Sequence, residues 1–360
     1  MYQKTQQAYT MIIFDCERMR HANCGFFSFC NYLAQALHEE ARQNPEYPLS
    51  FYMPRKLIGL WGDDYRYMKT NHFLHKHFLY NPNITLWHSC CQLTRYMPLR
   101  TRIVQTIHDL NYLYEPVPQE EKQCIIKRIG KHIKKVSQIV AISEWTKKDI
   151  LNNFDVKDRP VRVIYNGCNV WNGPVEEPKR KPARPFLFSI SSMYPKKNFH
   201  VLACLLKDND YELILAGAHN SPEYVRQIYE EAARWQVTDR IHLPGAIPES
   251  EKHWYLRHCT AFLFPSIAEG FGLPIIEAMQ YGKPVFLSTH TCLPEIGKEY
   301  AYYFNYDFDR EVMRSEFRKG LDDFYNGHKD PERIKAHALS FSWENTAKQY
   351  WEVYKEVINR

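Results

Sequence analysis

The chain has 360 residues, 44% hydrophobic and 15% aromatic, with a formal net charge of +6. That length exceeds one ordinary core and implies two domains, and the apolar content is enough to fill both, so the protein is globular. No apolar run approaches the roughly 18 residues needed to cross a bilayer, and the charge is too weak and diffuse to argue for a nucleic-acid partner.

The charge is unevenly spread: residues 1–170 carry about 23 basic and 15 acidic groups, while the remainder is slightly acidic. A mild field of this kind suits an anionic ligand or membrane surface. The N-terminus "MYQKTQQAYTMIIF" lacks a basic-then-apolar signal sequence. The ten cysteines have no metal-type pair spacing and read as reduced, buried thiols of a cytoplasmic protein.

In chain order, "YTMIIFDCERM" reads as a strand, followed by Gly25 and the helical pattern "FFSFCNYLAQALHEEARQ". "LSFYMP", "ITLWHS" and "RIVQTIHDL" are further strand-like runs. Residues 60–80, rich in aromatics and histidines, either line a ligand groove or fill the core of this half. "QEEKQCIIKRIGKHIKKVS" is a basic helix with Ile125, Ile129, Ile133 and Val136 on one face. A solvated face opposite that stripe is the preferred reading of its lysines; contact with an anionic membrane or acceptor is the other. "SEWTKKDILNNF" opens on a serine cap, and "PVRVIYNG" closes the half.

The segment "CNVWNGPVEEPKRKPARP" is rich in proline and charge and reads as an interdomain linker. Beyond it the alternation restarts with "FLFSISS", "YELILAGA", "RIHLPGA", "TAFLFPS" and "KPVFLS", separated by helical patterns. Alternation on both sides of a linker predicts an α/β protein of two doubly wound, Rossmann-like domains with parallel sheets. The expected boundaries are 1–170 for the N-terminal domain, 171–185 for the linker, 186–340 for the C-terminal domain and 341–360 for a terminal amphipathic helix.

Ligands of such domains bind beyond the C-terminal ends of the strands. In "SIAEGFGLPIIEAMQYG" the segment 269–273 is the loop between a strand and a helix that starts near Pro274. Amide groups at a helix start favour an anionic or hydroxylated ligand. Glu269 stands at the loop entrance and Glu277 one turn inside the helix. Two carboxylates able to accept from sugar hydroxyls, beside amides able to hold phosphate, suit a nucleotide sugar; a capped surface helix is the alternative.

The stretch "PSIAEGFGLPIIEAMQYGKPVFLSTHTCLPEIG", with two glutamates separated by seven intervening residues, resembles the donor-site signature of retaining GT-B glycosyltransferases of family 4 (group 1). The likeness extends to "FDCERMRHANCGFFSFCNYLAQAL", "QTIHDLNYLYEP", "IVAISEWTKKDIL", "VRVIYNG" and "FSWENTAKQYWEVY", and bacterial polysaccharide mannosyltransferases are the most similar branch. The resemblance implies a GT-B fold, with both domains facing a central cleft and the terminal helix packing back on the N-terminal domain.

It also implies roles. Glu269 would bond the transferred sugar, and the amides of Gly270, Phe271, Gly272 and Leu273 would hold sugar and phosphate oxygens. Glu277 would accept from the ribose hydroxyls, Gly25 would sit against the diphosphate and His108 would face the sugar. In "SISSMYPKKNFH", Lys197 fits the lysine that neutralises the diphosphate, but Ser192 stands where the family has arginine, so Lys196 either replaces that charge or is solvated.

Asp208-Asn209-Asp210 and Asp307-Phe308-Asp309 match a metal-binding Asp-x-Asp spacing, but both read as turns. No metal site and no cofactor are expected. The implied protein is a cytoplasmic, metal-independent retaining hexosyltransferase, peripheral to the inner membrane face at most. It would use a nucleotide-sugar donor, GDP-mannose first, and a glycan or lipid-linked acceptor of cell-envelope polysaccharide synthesis. A UDP-hexose donor, a nucleotide-sugar epimerase and a non-catalytic nucleotide-sugar-binding protein are the alternatives.

Overall fold

A computed structural model of the chain describes residues 11–21, 25–71, 75, 81–115 and 117–360. Residues 1–10 of the N-terminal stretch considered for a signal, part of the first glycine loop and most of the histidine-rich run 72–80 lie outside the described residues. The chain divides into two compact units: one of residues 1–112, 116–167 and 341–360, the other of 113–115 and 168–340.

The first unit holds strands β1 (Met11–Asp15), β2 (Leu49–Met53), β3 (Tyr67–Lys69), β4 (Ile84–Ser89), β5 (Arg102–Ile107), β6 (Gln138–Ala141) and β7 (Val161–Val163). They form one sheet of order β3-β2-β1-β4-β5-β6-β7. All its pairings are parallel. The central strands are buried on both faces, which is why they read as continuous apolar runs without alternation.

Helices α1 (Gly25–Gln43), α2 (Gln119–Ile133) and α3 (Glu144–Asn153) serve this sheet. The Ser143 side chain caps α3 by accepting from the Thr146 amide. On α2, Ile129 and Ile133 are buried while Lys127, Arg128, Lys131, Lys134 and Lys135 along its length and just beyond it are exposed. The loop 54–66 stands in for a crossover helix. Its Trp61 and Tyr65 rings pack on Phe51, and Trp61 Nε1 donates to Asn31 on α1. This part of the aromatic-rich segment therefore covers the sheet.

The second unit holds β8 (Phe186–Ile190), β9 (Glu212–Ala216), β10 (Ile241–Gly245), β11 (Ala261–Phe264), β12 (Val285–Leu287) and β13 (Tyr302–Tyr303). Their order is β10-β9-β8-β11-β12-β13, again with parallel pairings. Its helices are α4 (Pro222–Arg234), α5 (Glu249–His258), α6 (Leu273–Met279), α7 (Leu293–Gly297), α8 (Arg310–Tyr325) and α9 (Pro331–Ser340). A last helix, α10 (Trp343–Asn359), packs in the first unit.

There α10 is tied to the sheet by a buried polar ladder. His88 Nδ1 lies 2.5 Å from the Tyr354 hydroxyl, His88 Nε2 lies 2.8 Å from Thr106 Oγ1, and Thr106 lies 2.8 Å from the Tyr350 hydroxyl. Trp343 stacks beside Tyr32 and meets Phe29 edge-on, both on α1. Among the described residues no helix is long and apolar enough to cross a membrane.

In each sheet the strand order reverses once: between β1 and β4 in the first unit and between β8 and β11 in the second. Adjacent loops diverge there and leave a crevice at the C-terminal ends of the strands.

Candidate active site

In the second unit the reversal brings together the loop after β8 (191–198) and the loop after β11 (265–272). The first ends in a single turn of 3-10 helix, Pro195–Lys197, closed by Asn198 in the left-handed conformation. Ser191 N–H donates to Ala216, and Gly217, at φ +136°, brings the next loop so close that a Cβ there would lie 1.8 Å from the Ser191 carbonyl oxygen. Only glycine fits.

Both loops are cross-braced. The Lys196 carbonyl accepts from the Ile267 amide at 2.9 Å and from Ser266 Oγ at 3.1 Å, while Ser288 Oγ donates to the Ser266 carbonyl. Thr291, itself at φ +51°, accepts the Glu269 amide at 3.1 Å, and Cys292 Sγ donates to the Glu269 carbonyl. Gly272, at φ +95°, then turns the chain into α6 with Pro274 in its first turn.

The bracing sets Lys197 Nζ 2.5 Å from Glu269 Oε1, with both side chains about one-eighth exposed. The Lys197 ammonium also lies 5.5 Å over the Phe264 ring. A cation and a carboxylate shielded from water interact more strongly than a surface pair. Lys196 Nζ is 2.7 Å from Glu115, in the short segment that belongs with this unit. Ser192 is half-buried in the same loop, and Gly270 and Phe271 are buried ahead of Leu273.

Glu277, 4% exposed, accepts from Asn169 Nδ2 at 2.7 Å and pairs with Lys252 at 3.2 Å. Asn169, Lys252 and Thr291 escape sequence reasoning. Lys252 sits in a run of charged helix residues that reads as solvated, and contacts between distant segments leave no spacing to detect.

In the first unit His108 follows β5. Its ring lies between those of Phe26 and Phe29, at 4.7 and 4.5 Å, and its Nε2 lies 2.9 Å from the Cys90 carbonyl. A carbonyl only accepts, so Nε2 carries the proton and Nδ1 is the acceptor. Burial lowers the imidazole pKa to about 4, so the ring is neutral at physiological pH. The Asp109 carboxylate accepts the Asn111 amide and orders the turn.

Nearby, the Cys30 and Cys90 sulfurs are 3.3 Å apart, and burial pushes the Asp15 carboxyl up to about 7. Gly25 opens α1 at the surface, and among the described residues nothing beyond its chain neighbours and its own helix backbone lies within 4 Å of where a Cβ would stand. The described cysteines are free thiols, all buried except Cys124.

The two aspartate pairs sit elsewhere. Asp208 binds Arg314 at 2.6 Å, Asn209 closes its own turn, and Asp309 caps α8 through the Val312 amide. Among the described residues no three His, Cys, Asp or Glu side chains come together as a metal-ligand group.

Comparison with known proteins agrees with this layout. The model of glycosyltransferase family 4 matches residues 29–171 and that of glycosyl transferases group 1 matches residues 175–340. The chain belongs to this glycosyltransferase family. O-antigen chain mannosyltransferase B of Escherichia coli is 25% identical to this glycosyltransferase over 283 residues, 72% of each chain.

Among solved structures, the sucrose-phosphate synthase of Thermosynechococcus elongatus superposes with a TM-score of 0.74 at 16% identity, over 97% of this chain and 99% of the other. Anabaena HepE in complex with UDP-glucose superposes at 0.68 with 14% identity, over 96% and 99%. Both likenesses establish a GT-B fold of two Rossmann-like, parallel-sheet domains.

Proposed function

We propose that this glycosyltransferase moves a hexose from a nucleotide sugar, with retention at the anomeric carbon, onto a glycan or lipid-linked acceptor of a cell-envelope polysaccharide. The observation that carries the reading is the Lys197–Glu269 pair at the chain reversal of the second sheet. One partner suits a diphosphate and the other suits sugar hydroxyls, the two groups that adjoin at the reacting end of a nucleotide sugar. When donor enters, the diphosphate takes Lys197 and the hydroxyls take Glu269.

Loop 270–273 lies along the same ligand, Glu277 receives the ribose, and Gly25 leaves room for phosphate on the first unit. His108, neutral and able to accept at Nδ1, receives a hydroxyl of the sugar. With Ser192 at the family's arginine position and Lys196 held by Glu115, Lys197 carries most of the leaving-group charge. Catalysis is then positioning and stabilisation of the departing diphosphate, which takes the acceptor proton as the new bond forms on the same face. No metal is required for this, and the lysines of α2 form a solvated face, with peripheral contact to anionic lipid as the lesser alternative.

That a relative is a mannosyltransferase supports mannose as the transferred sugar, and GDP-mannose is the donor placed first; a UDP-hexose is the second choice, HepE being solved with UDP-glucose. The test offers GDP-mannose, UDP-glucose, UDP-galactose and UDP-N-acetylglucosamine separately, with EDTA present, and measures donor hydrolysis and thermal stabilisation. GDP-mannose should score on both. Turnover of UDP-N-acetylglucosamine without acceptor would point to an epimerase. Loss of all turnover in EDTA, restored by manganese, would remove metal independence.

A further inference from the structure

Glu277 keeps company that a surface carboxylate would not. It is almost fully buried, yet Lys252 Nζ, on the first turn of α5, lies 3.2 Å from its Oε2, and Asn169 Nδ2 donates to its Oε1 at 2.7 Å. Lysines are seldom buried unless paired. Lys252 has 8% of its side chain exposed and is gripped from the other side by Glu249 at 2.6 Å. Burial works against the charge of Lys252, but Glu277 and Glu249 hold its pKa above the ordinary lysine value.

Asn169 is fixed in turn, because Gln280 Nε2 donates to both the Asn169 and the Glu277 carbonyls. His253, next along α5, faces Glu249 at 3.6 Å and binds the Tyr281 hydroxyl. The cluster joins three separate stretches of the second unit: the segment after β7, helix α5 and helix α6.

A carboxylate offers about four lone-pair positions. Asn169 and Lys252 take one on each oxygen, which leaves one on each for a further donor. Two acceptors a carboxylate's width apart match the adjacent hydroxyls of a ribose. Without Lys252 the buried carboxylate would lose its paired cation, and nothing would hold its Oε2 in place.

We propose that Lys252, together with Asn169, is a positioning residue: it holds the Glu277 side chain in place and sets both its oxygens for the ribose diol of the bound nucleotide. The proposal rests on the assignment of Glu277 to the ribose made above. It adds a specificity device, since the fixed carboxylate rejects nucleotides that lack the diol.

Calorimetry compares GDP with 2′,3′-dideoxy-GDP, and UDP with 2′,3′-dideoxy-UDP, on the full chain. The wild type should favour the ribo form of its nucleotide by roughly tenfold or more, as expected for hydrogen bonds to a charged acceptor. Lys252→Met should shrink that preference to about twofold, mainly by weakening the ribo form, because only the diol reads the carboxylate. Should Lys252→Met fail to fold, Asn169→Ala decides in its place, since it removes the other contact without stranding a charge.

A folded variant that keeps the wild-type preference, or loses affinity equally for both forms, overturns the proposal. A wild type that binds ribo and dideoxy forms alike overturns the ribose assignment itself, and the role of Lys252 falls with it.

Discussion

The two units carry the same sheet topology at their chain reversals, but the immediate surroundings of His108 and the equivalent edge of the second unit differ in charge. Around His108 the surroundings are apolar rings, thiols and a carboxyl that burial pushes up to about 7, and the imidazole is neutral. In the second unit the equivalent edge is built from ion pairs: Lys197 with Glu269, Lys196 with Glu115, Lys252 with Glu277. An anionic nucleotide sugar can become the new charged partner of such a lysine, whereas it would gain no charge contact from the neutral rings and thiols beside His108.

The largest expected effect tests the charged side. Lys197→Ala should lower turnover at least tenfold, by about 1.5–3 kcal/mol, and weaken nucleoside diphosphate binding more than binding of the bare nucleoside. Glu269→Ala should depress turnover comparably while sparing diphosphate affinity. Steady-state kinetics with calorimetry separates the two, and a Lys197→Ala protein that binds and transfers like wild type would place the diphosphate elsewhere.

The neutral side should respond differently. His108→Ala removes one uncharged contact, so turnover should fall by roughly tenfold or less with diphosphate affinity retained. Equal losses in both quantities would erase the contrast between the units.

Next comes stability of the first unit. Tyr354→Phe leaves His88 Nδ1 without its buried partner, which should cost about 1–3 kcal/mol in denaturant unfolding and leave nucleotide affinity untouched.

The smallest effect is a pH dependence. Burial holds His88 at about 3 and His108 and His200 at about 4, while the unfolded chain titrates its histidines near 6.5. The unfolded state therefore binds more protons between those values, and stability should fall as pH drops from about 6.5 towards 4. Asp15 acts oppositely: its raised pKa keeps it protonated in the fold, so its contribution weakens as pH rises from about 3.8 to 7. Three histidines outweigh one aspartate, so the thermal midpoint should drop on acidification, and the His108 ring signals should not titrate above pH 5. A midpoint that rises on acidification would reverse the sign.

Much was legible without coordinates. The apolar runs of β1, β4, β5, β8, β9 and β11 follow from double burial in parallel sheets, and Pro274 and Gly282 bracket α6 by local backbone preference alone. The Gly-Phe-Gly-Leu-Pro run with its two glutamates, and Lys197 in the preceding loop, are local patterns as well, so sequence could nominate them.

Sequence could not say that Lys197 meets Glu269, that Glu115 holds Lys196, or that Lys252 and Asn169 flank Glu277. Each of these pairs spans between 25 and 108 positions along the chain. No periodicity links such residues. What joins them is the order of strands in the sheet, which sets which loops emerge side by side and which side chains lose their water. Composition and local pattern determined the elements and the candidate residues; burial and pairing, which exist only once the sheets are assembled, decided their charge states and partners.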